Sequence, residues 1–267
     1  MRAGGTAYDL AGPADAPVLV LIHGLGLTRR TWADHLPALA RDRRVLSYDL
    51  AGHGESAPPR RTPSLAVLSE QLRALLDALG VDRVALVGFS LGGMINRRFA
   101  MDHPDRVSAL AVLNSPHERT PEAQRQVEAR AAAGGPAATI EETLERWFTP
   151  AFRRDRPDAV DRVRSMVLAN DPDTYVRHRR VLASGVVELI RPEPPIALPT
   201  LVMTCENDAG STPAMARAIA AEIAGAETIV VPGLRHLGLM ERPALFTDPI
   251  RGWLDRVLRP ETPAGKD

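Results

Sequence analysis

Residues 86–93 read "LVGFSLGG", a lone serine, Ser90, set among Gly88, Gly92 and Gly93. By composition alone a Gly-x-Ser-x-Gly pentapeptide turns up in about one chain of this length in ten, so its meaning comes from its flanks. The apolar run 83–88 fits a buried strand, and a helical pattern begins near Gly92. A strand that turns sharply into a helix needs residues without a β-carbon around the turn. Ser90 would then stand at the carboxyl end of a sheet strand, where α/β sheets bind ligands, and at the positive end of a helix.

The neighbouring sequence supports such a sheet. "PVLVLIH" (17–23), "RRVLSYD" (43–49), "DRVALVGF" (82–89) and "RVSALAVLN" (106–114) are short Val- and Leu-rich runs separated by longer amphipathic stretches. One of these places Leu65, Leu68, Leu72, Leu75, Leu76 and Leu79 at helical spacing, with Ser64 as N-cap and Gly80 as the stop. Continuous apolar strands alternating with helices indicate a parallel sheet covered on both faces. After Asn114 the rhythm changes. Residues 117–195 carry helical patterns and no convincing strand, and are expected to form a helical cap of three or four segments. Within it Thr139 and Glu142 have capping-box spacing, Pro157 and Pro172 suit first helical turns, and Gly134–Gly135 ends the preceding helix. "RPEPPIALP" (191–199) then leads back to "TLVMT" (200–204) and "ETIVVPG" (227–233). The expected organisation is a core of residues 1–116 and 196–267 interrupted by a cap, with "RPETPAGKD" (259–267) as an exposed tail.

Bulk properties narrow the function. In 267 residues, 33 Lys and Arg balance 33 Asp and Glu, which argues against a nucleic-acid partner. Cys205 is the only cysteine, no apolar run is long enough to span a bilayer, and the first residues lack a signal-peptide pattern. These features suggest a cytoplasmic protein with a small-molecule partner and no membrane association; nothing specifies an oligomeric state. No metal-ligand spacing and no dinucleotide fingerprint occurs, so the expected chemistry needs no cofactor.

A serine nucleophile needs a base, and the base needs an acid to orient it. Among seven histidines, His236 in "VPGLRHLGLMERP" follows the last strand pattern and would reach the same sheet edge. His103 reads as structural, and His35, His117 and His178 have polar, helix-like surroundings. Asp208 in "TCENDAGST" is favoured as the acid over Glu206, which lies closer to its strand and would turn away or cap the turn. The chain order Ser90, Asp208, His236 is that of a nucleophile-elbow fold. Backbone amides of Leu25, in "HGLGL" (23–27), and of Leu91 are candidates for an oxyanion hole, with Gly24 and Gly26 allowing close approach. His23 could be taken for a base, but holding its loop by hydrogen bonds suits it better. "DLAGHGES" (49–56) lacks a Walker ending and reads as a loop lining the site.

Together, "PVLVLIHGLGLTRRTW", "DLAGHGES", "LVGFSLGG", "HPDRV", "PTLVMTCEND" and "VPGLRHLGLMERP" resemble the α/β-hydrolase superfamily over nearly the whole chain. The resemblance implies a mostly parallel eight-stranded sheet flanked by helices, a Ser-His-Asp triad and an inserted helical cap. The segment around "RWFTP" is similar to the caps of 3-oxoadipate enol-lactonases, which implies a pocket role for Trp147; packing between cap helices is the alternative. Cys205, Ala51 and Arg235 depart from residues usual in the family, and the short N-terminus suggests a truncated first strand. His23, Gly24, Trp147 and Arg235 are the candidate pocket residues, Arg235 either pairing with a substrate carboxylate or forming a surface salt bridge. The function expected is a serine hydrolase of a small lactone or carboxylic ester, such as 3-oxoadipate enol-lactone. A carbon-carbon bond hydrolase, another esterase and a receptor-like small-ligand-binding protein remain open.

Overall fold

All six residues of Val84–Phe89 are buried, as are all but the first of Val18–Ile22, so both strands must be covered on two faces. In the computed structural model, which describes residues 1–258, they lie at the centre of an eight-stranded sheet; the tail 259–267 lies outside the described residues. In chain order the strands are β1 (Arg2–Ala3), β2 (Thr6–Ala11), β3 (Val18–Ile22), β4 (Arg44–Tyr48), β5 (Val84–Phe89), β6 (Val107–Leu113), β7 (Thr200–Cys205) and β8 (Glu227–Val231). Their spatial order is β1-β2-β4-β3-β5-β6-β7-β8, with β1 and β2 antiparallel and β3 to β8 parallel. The first hairpin is present, and its first strand is as short as expected. Its first strand is only two residues long, because Gly4 and Gly5, both at positive φ, turn the chain back at once.

The chain runs from β3 to β4 on one side and then to β5 on the other. The loops after β3 and β5 therefore diverge over a crevice at the carboxyl edge, the position where such sheets hold ligands. Helix Leu65–Ala78 begins where the Ser64 hydroxyl accepts from Val67 N and ends before Gly80 at φ 63°. Its leucine face is buried against the core, as its spacing demands.

Between β6 and β7 the chain forms five helices, Pro121–Ala132, Ile140–Trp147, Pro150–Asp155, Pro157–Leu168 and Pro172–Ser184, rather than three or four. Four of them start on a proline, whose missing N–H costs nothing in a first turn. The expected capping box at Thr139 does not form. Its hydroxyl accepts instead from Arg179 Nη2 at 2.7 Å, and this cross-helix bond takes the oxygen away from its own helix. The two stems of the insertion are clamped together: Arg119 donates to the carbonyls of Leu182 and Ala183, and Gln124 Nε2 to that of Ala183.

Three histidines expected in polar surroundings are buried instead, each with a local acceptor or donor. His117 pairs with Glu222 at 2.9 Å, His178 with the Thr174 carbonyl at 2.8 Å, and His35 with the Thr247 hydroxyl at 2.7 Å. Burial pushes His35 down to about 4. Near neutral pH and above, its ring is uncharged in folded and unfolded chains alike. As pH falls toward 4 the unfolded chain gains a proton that the folded one refuses, which removes about 3 kcal/mol over that window. Urea-unfolding free energies should therefore fall from about pH 7.5 to about pH 4.5, and His35→Gln should lose about one proton of that dependence. An identical slope in the variant would show that His35 does not contribute.

Candidate active site

β5 delivers Ser90 at φ 55° and ψ −111°, a backbone conformation that costs a non-glycine residue about 1–3 kcal/mol. Helix Leu91–Asp102 starts at the next residue. The turn is this tight because its glycines admit close contacts. A β-carbon on Gly88 would lie 2.2 Å from Gly92 O, one on Gly92 2.3 Å from Ile22 O, and one on Gly93 2.7 Å from Ser115 Cβ. Ser90 N donates to Leu113 O at 2.8 Å, which ties the turn to the end of β6. Beneath it the buried Arg97 donates to the carbonyls of Gly93 and Pro116 and to the Ser115 hydroxyl. Burial draws its guanidinium down to about 10.

Ser90 Oγ lies 3.2 Å from His236 Nε2, and His236 Nδ1 lies 2.7 Å from Asp208 Oδ2. The carboxylate can only accept, so Nδ1 carries the proton and Nε2 is left to accept from the serine hydroxyl. Asp208 is almost fully buried, which by itself would raise its carboxyl. The charge and hydrogen bond of His236, together with Asn114 Nδ2 and Ser211 N, outweigh burial and hold it below the ordinary carboxylate range. Gly210 N adds a further donor at 2.9 Å. Glu206, the competing acid, points elsewhere and accepts from Gly233 N at 2.8 Å. Asn114 was not singled out by sequence; it sits at φ 45°, a conformation asparagine tolerates, directly after β6. The His236 ring lies between Phe89 and Trp147, at centroid distances of 5.0 and 6.1 Å.

Gly24 brings the loop after β3 against the elbow; a β-carbon there would lie 3.2 Å from Ser90 Cβ. Among the described residues neither Leu25 N nor Leu91 N donates to a protein acceptor, so both amides are free beside the serine. Two pocket assignments need correction. His23 does not line the cavity: it is fully buried, its Nδ1 donates to Gly24 O, and its Nε2 accepts from Leu50 N, so it braces two loops from behind. Its ring packs at a tilt against His53, which in turn meets His178 of the cap edge to face. Arg235 neither faces the cavity nor forms a surface salt bridge. Its Nη1 donates to the carbonyls of Glu145 and Phe148, fastening the His236 loop to a cap helix. The "DLAGHGES" loop is held by buried Asp49, which accepts from Arg29 N and Glu55 N at 2.7 and 2.9 Å.

The cavity above Ser90 is lined on the core side by Gly24, Leu25, Phe89 and the Ser90, His236 and Asp208 group. From the cap come Trp147, Tyr175 and four arginines, Arg119, Arg130, Arg146 and Arg179, none of which the sequence pattern distinguished. The cap segment 117–195 contains thirteen arginines and thirteen Asp and Glu residues, so no charge excess marks them. Gly26 lets the cap sit close, since a β-carbon there would meet Tyr175 Cε2 at 2.8 Å. Asn170 Nδ2 secures the contact by donating to Gly26 O at 3.0 Å.

Comparison with known proteins agrees with this architecture. Residues 17–135 match the family described as alpha/beta hydrolase fold. The enol-lactonase of Burkholderia xenovorans superposes with a TM-score of 0.85 at 30% identity, covering 93% of this chain and 96% of that one. By sequence, the chain is 28% identical to 3-oxoadipate enol-lactonase 2 of Acinetobacter baylyi over 94% of its length and 96% of the relative. It is also 28% identical to the (E)-2-((N-methylformamido)methylene)succinate hydrolase of that organism, over 89% and 90% of the two chains. A strained serine elbow on a mostly parallel sheet defines a class, and this chain belongs to the α/β-hydrolase fold family; it is a hydrolase. No helix among the described residues is long and apolar enough to cross a membrane.

The elbow makes a steric prediction. Gly92→Ala should cost about 3 kcal/mol, because its β-carbon meets the backbone of β3, and should lower Tm by about 6–12 °C. Gly252, in helix Ala244–Val257, has nothing within 4 Å of the place a methyl group would occupy, so Gly252→Ala should leave Tm unchanged or raise it slightly. Equal melting temperatures for the two variants in calorimetry would contradict the close approach at Gly92.

Proposed function

We propose that the protein is a serine hydrolase cleaving a small lactone or carboxylic ester, with 3-oxoadipate enol-lactone as the leading candidate substrate. The observation carrying this reading is the chain of hydrogen bonds from Asp208 through His236 to Ser90, facing a cavity beside two free amides. Ser90 Oγ attacks the substrate carbonyl while His236 Nε2 takes its proton. The Leu25 and Leu91 amides hold the oxyanion, each donor lowering the barrier by about 3 kcal/mol. The carbonyl carbon–oxygen bond to the leaving group then breaks, and His236 returns the proton to that oxygen; in a lactone this opens the ring. Water attacks the acyl-enzyme with His236 as base, releasing the acid and restoring Ser90.

Asp208 keeps His236 in the working tautomer and stabilises the imidazolium without itself taking a proton. The lactone assignment draws on the names of two relatives, both enol-lactonases, and on Trp147 lining the cavity beside His236. Steady-state hydrolysis of 3-oxoadipate enol-lactone and of p-nitrophenyl acetate should both fall by about 10⁵-fold in Ser90→Ala. The lactone should be much the better substrate. Undiminished turnover in Ser90→Ala would overturn the mechanism, whereas cleavage of the acetate alone would overturn only the lactone assignment.

A further inference from the structure

The cationic side of the cavity is unevenly satisfied. Arg119 and Arg179 spend their Nη donors on neutral oxygens: Arg119 on Gln124, Leu182 and Ala183, and Arg179 on the Arg130 carbonyl and the hydroxyls of Thr139 and Tyr175. Among the described residues, Arg130 and Arg146 have no such acceptors, and their one carboxylate neighbour is Glu142, 3.8 Å from Arg130 Nη1 and 3.6 Å from Arg146 Nε. Both separations are too long for hydrogen bonds. Glu142 is half exposed and is not among the residues lining the cavity.

Arg146 Nε is buried and has no hydrogen-bond acceptor among the described residues. Burial, with repulsion from Arg130, draws both Arg119 and Arg146 below the ordinary guanidinium value. Among the described residues that line the cavity the only carboxylate is Asp208, and it is committed to His236. Four guanidinium groups thus face one cavity, and the one carboxylate near Arg130 and Arg146, Glu142, stands outside its lining among the described residues. Charges half withdrawn from water in this way are poorly compensated, and an arriving anion relieves part of that cost. Guanidinium groups with unspent donors match a carboxylate, which accepts on both oxygens.

We infer that Arg130 and Arg146 form a carboxylate-binding subsite, and that the ester or lactone cleaved at Ser90 carries a carboxylate remote from its scissile carbonyl. This rests on the proposed role of Ser90. A remote charge held by the cap orients the carbonyl toward the serine, and an uncharged ester of equal length forgoes that contact. Arg130 and Arg146 are specificity residues in this arrangement, on the cap, separate from the core residues that carry out the reaction.

The test uses two ligands of equal chain length, monomethyl adipate and methyl hexanoate, titrated calorimetrically into the Ser90→Ala protein. The acid should bind at least about tenfold more tightly, and Arg130→Gln or Arg146→Gln should each reduce the acid-to-neutral ratio by about tenfold. Glu142→Gln, a surface substitution that removes the competing carboxylate, should raise that ratio severalfold. Equal binding of the two ligands, or a ratio unmoved in both arginine variants, overturns the subsite. Wild-type hydrolysis of both esters in a pH-stat separates the two levels of the argument. Equal kcat/KM for the acid and the neutral ester removes the subsite and leaves the serine hydrolase standing. Selective binding of the acid with neither ester cleaved keeps the anion site and removes the role given to Ser90.

Discussion

No β-carbon fits at Gly88 or Gly92, and that exclusion decides where helix Leu91–Asp102 lies on the sheet. Because the helix backbone comes into contact with the end of β3, its first turn begins directly beneath the crevice at the carboxyl edge. Ser90 is left on the outside of the bend in a conformation other residues avoid. The surroundings hold it there from both sides: Leu113 O accepts from its amide, while Gly93 N, Met94 N and the Ser115 hydroxyl donate to its carbonyl. Strain stored at one residue persists only when several independent contacts over-determine it, and that is the situation here. The free amide of Leu91 is a by-product of the same geometry, since a first-turn N–H has no partner within its helix.

The two sides of the cavity divide the electrostatic work. On the core side a buried carboxylate stays ionised because three segments converge on it: Asn114 after β6, the Gly210–Ser211 turn after β7, and His236 after β8. On the cap side positive charge accumulates, with much of it held by carbonyl oxygens that cannot neutralise it. Charges of opposite sign thus stand on the two sides of the space where a substrate would sit.

How much of this could be read in the sequence depended on whether the relevant constraint was local. Strands β3 to β8 announce themselves as short continuous apolar runs, and the leucine helix by its spacing. Ser90, Asp208 and His236 stand out because each follows a strand pattern, and strand ends converge at one edge of a parallel sheet; the structure places the three within hydrogen-bond reach. Direction within a loop was not legible. Arg235 is adjacent to His236 in sequence, yet neighbouring side chains leave a loop on different sides, and this one turns to the cap backbone. Likewise, His23 sits behind the pocket it was a candidate to line and holds its loop by hydrogen bonds, the other role read for it. The four cavity arginines were invisible for another reason. Each occupies a segment of mixed charge, where an inward arginine and a solvated one look alike until the packing of the helices is known. Thr139 failed as a cap because its competitor, Arg179, is forty residues away in sequence.

The insertion between β6 and β7 closes on itself before it returns to the sheet, through the Arg119 and Gln124 bonds to residues 182 and 183. Its two stems are thus fastened to each other, while Arg97 fixes the point of departure at Pro116. A chain built this way sets a reactive base beneath a roof that leaves it and returns to it at one place. The roof also touches the base elsewhere, at the Arg235 and Leu237 bonds to residues 145–148 and the Asn170 bond to Gly26, and any replacement would have to supply those again. Divergence of such a protein can proceed by swapping what is recognised while keeping how bonds are broken, and recombination at the two stems offers a direct route for making that swap in the laboratory.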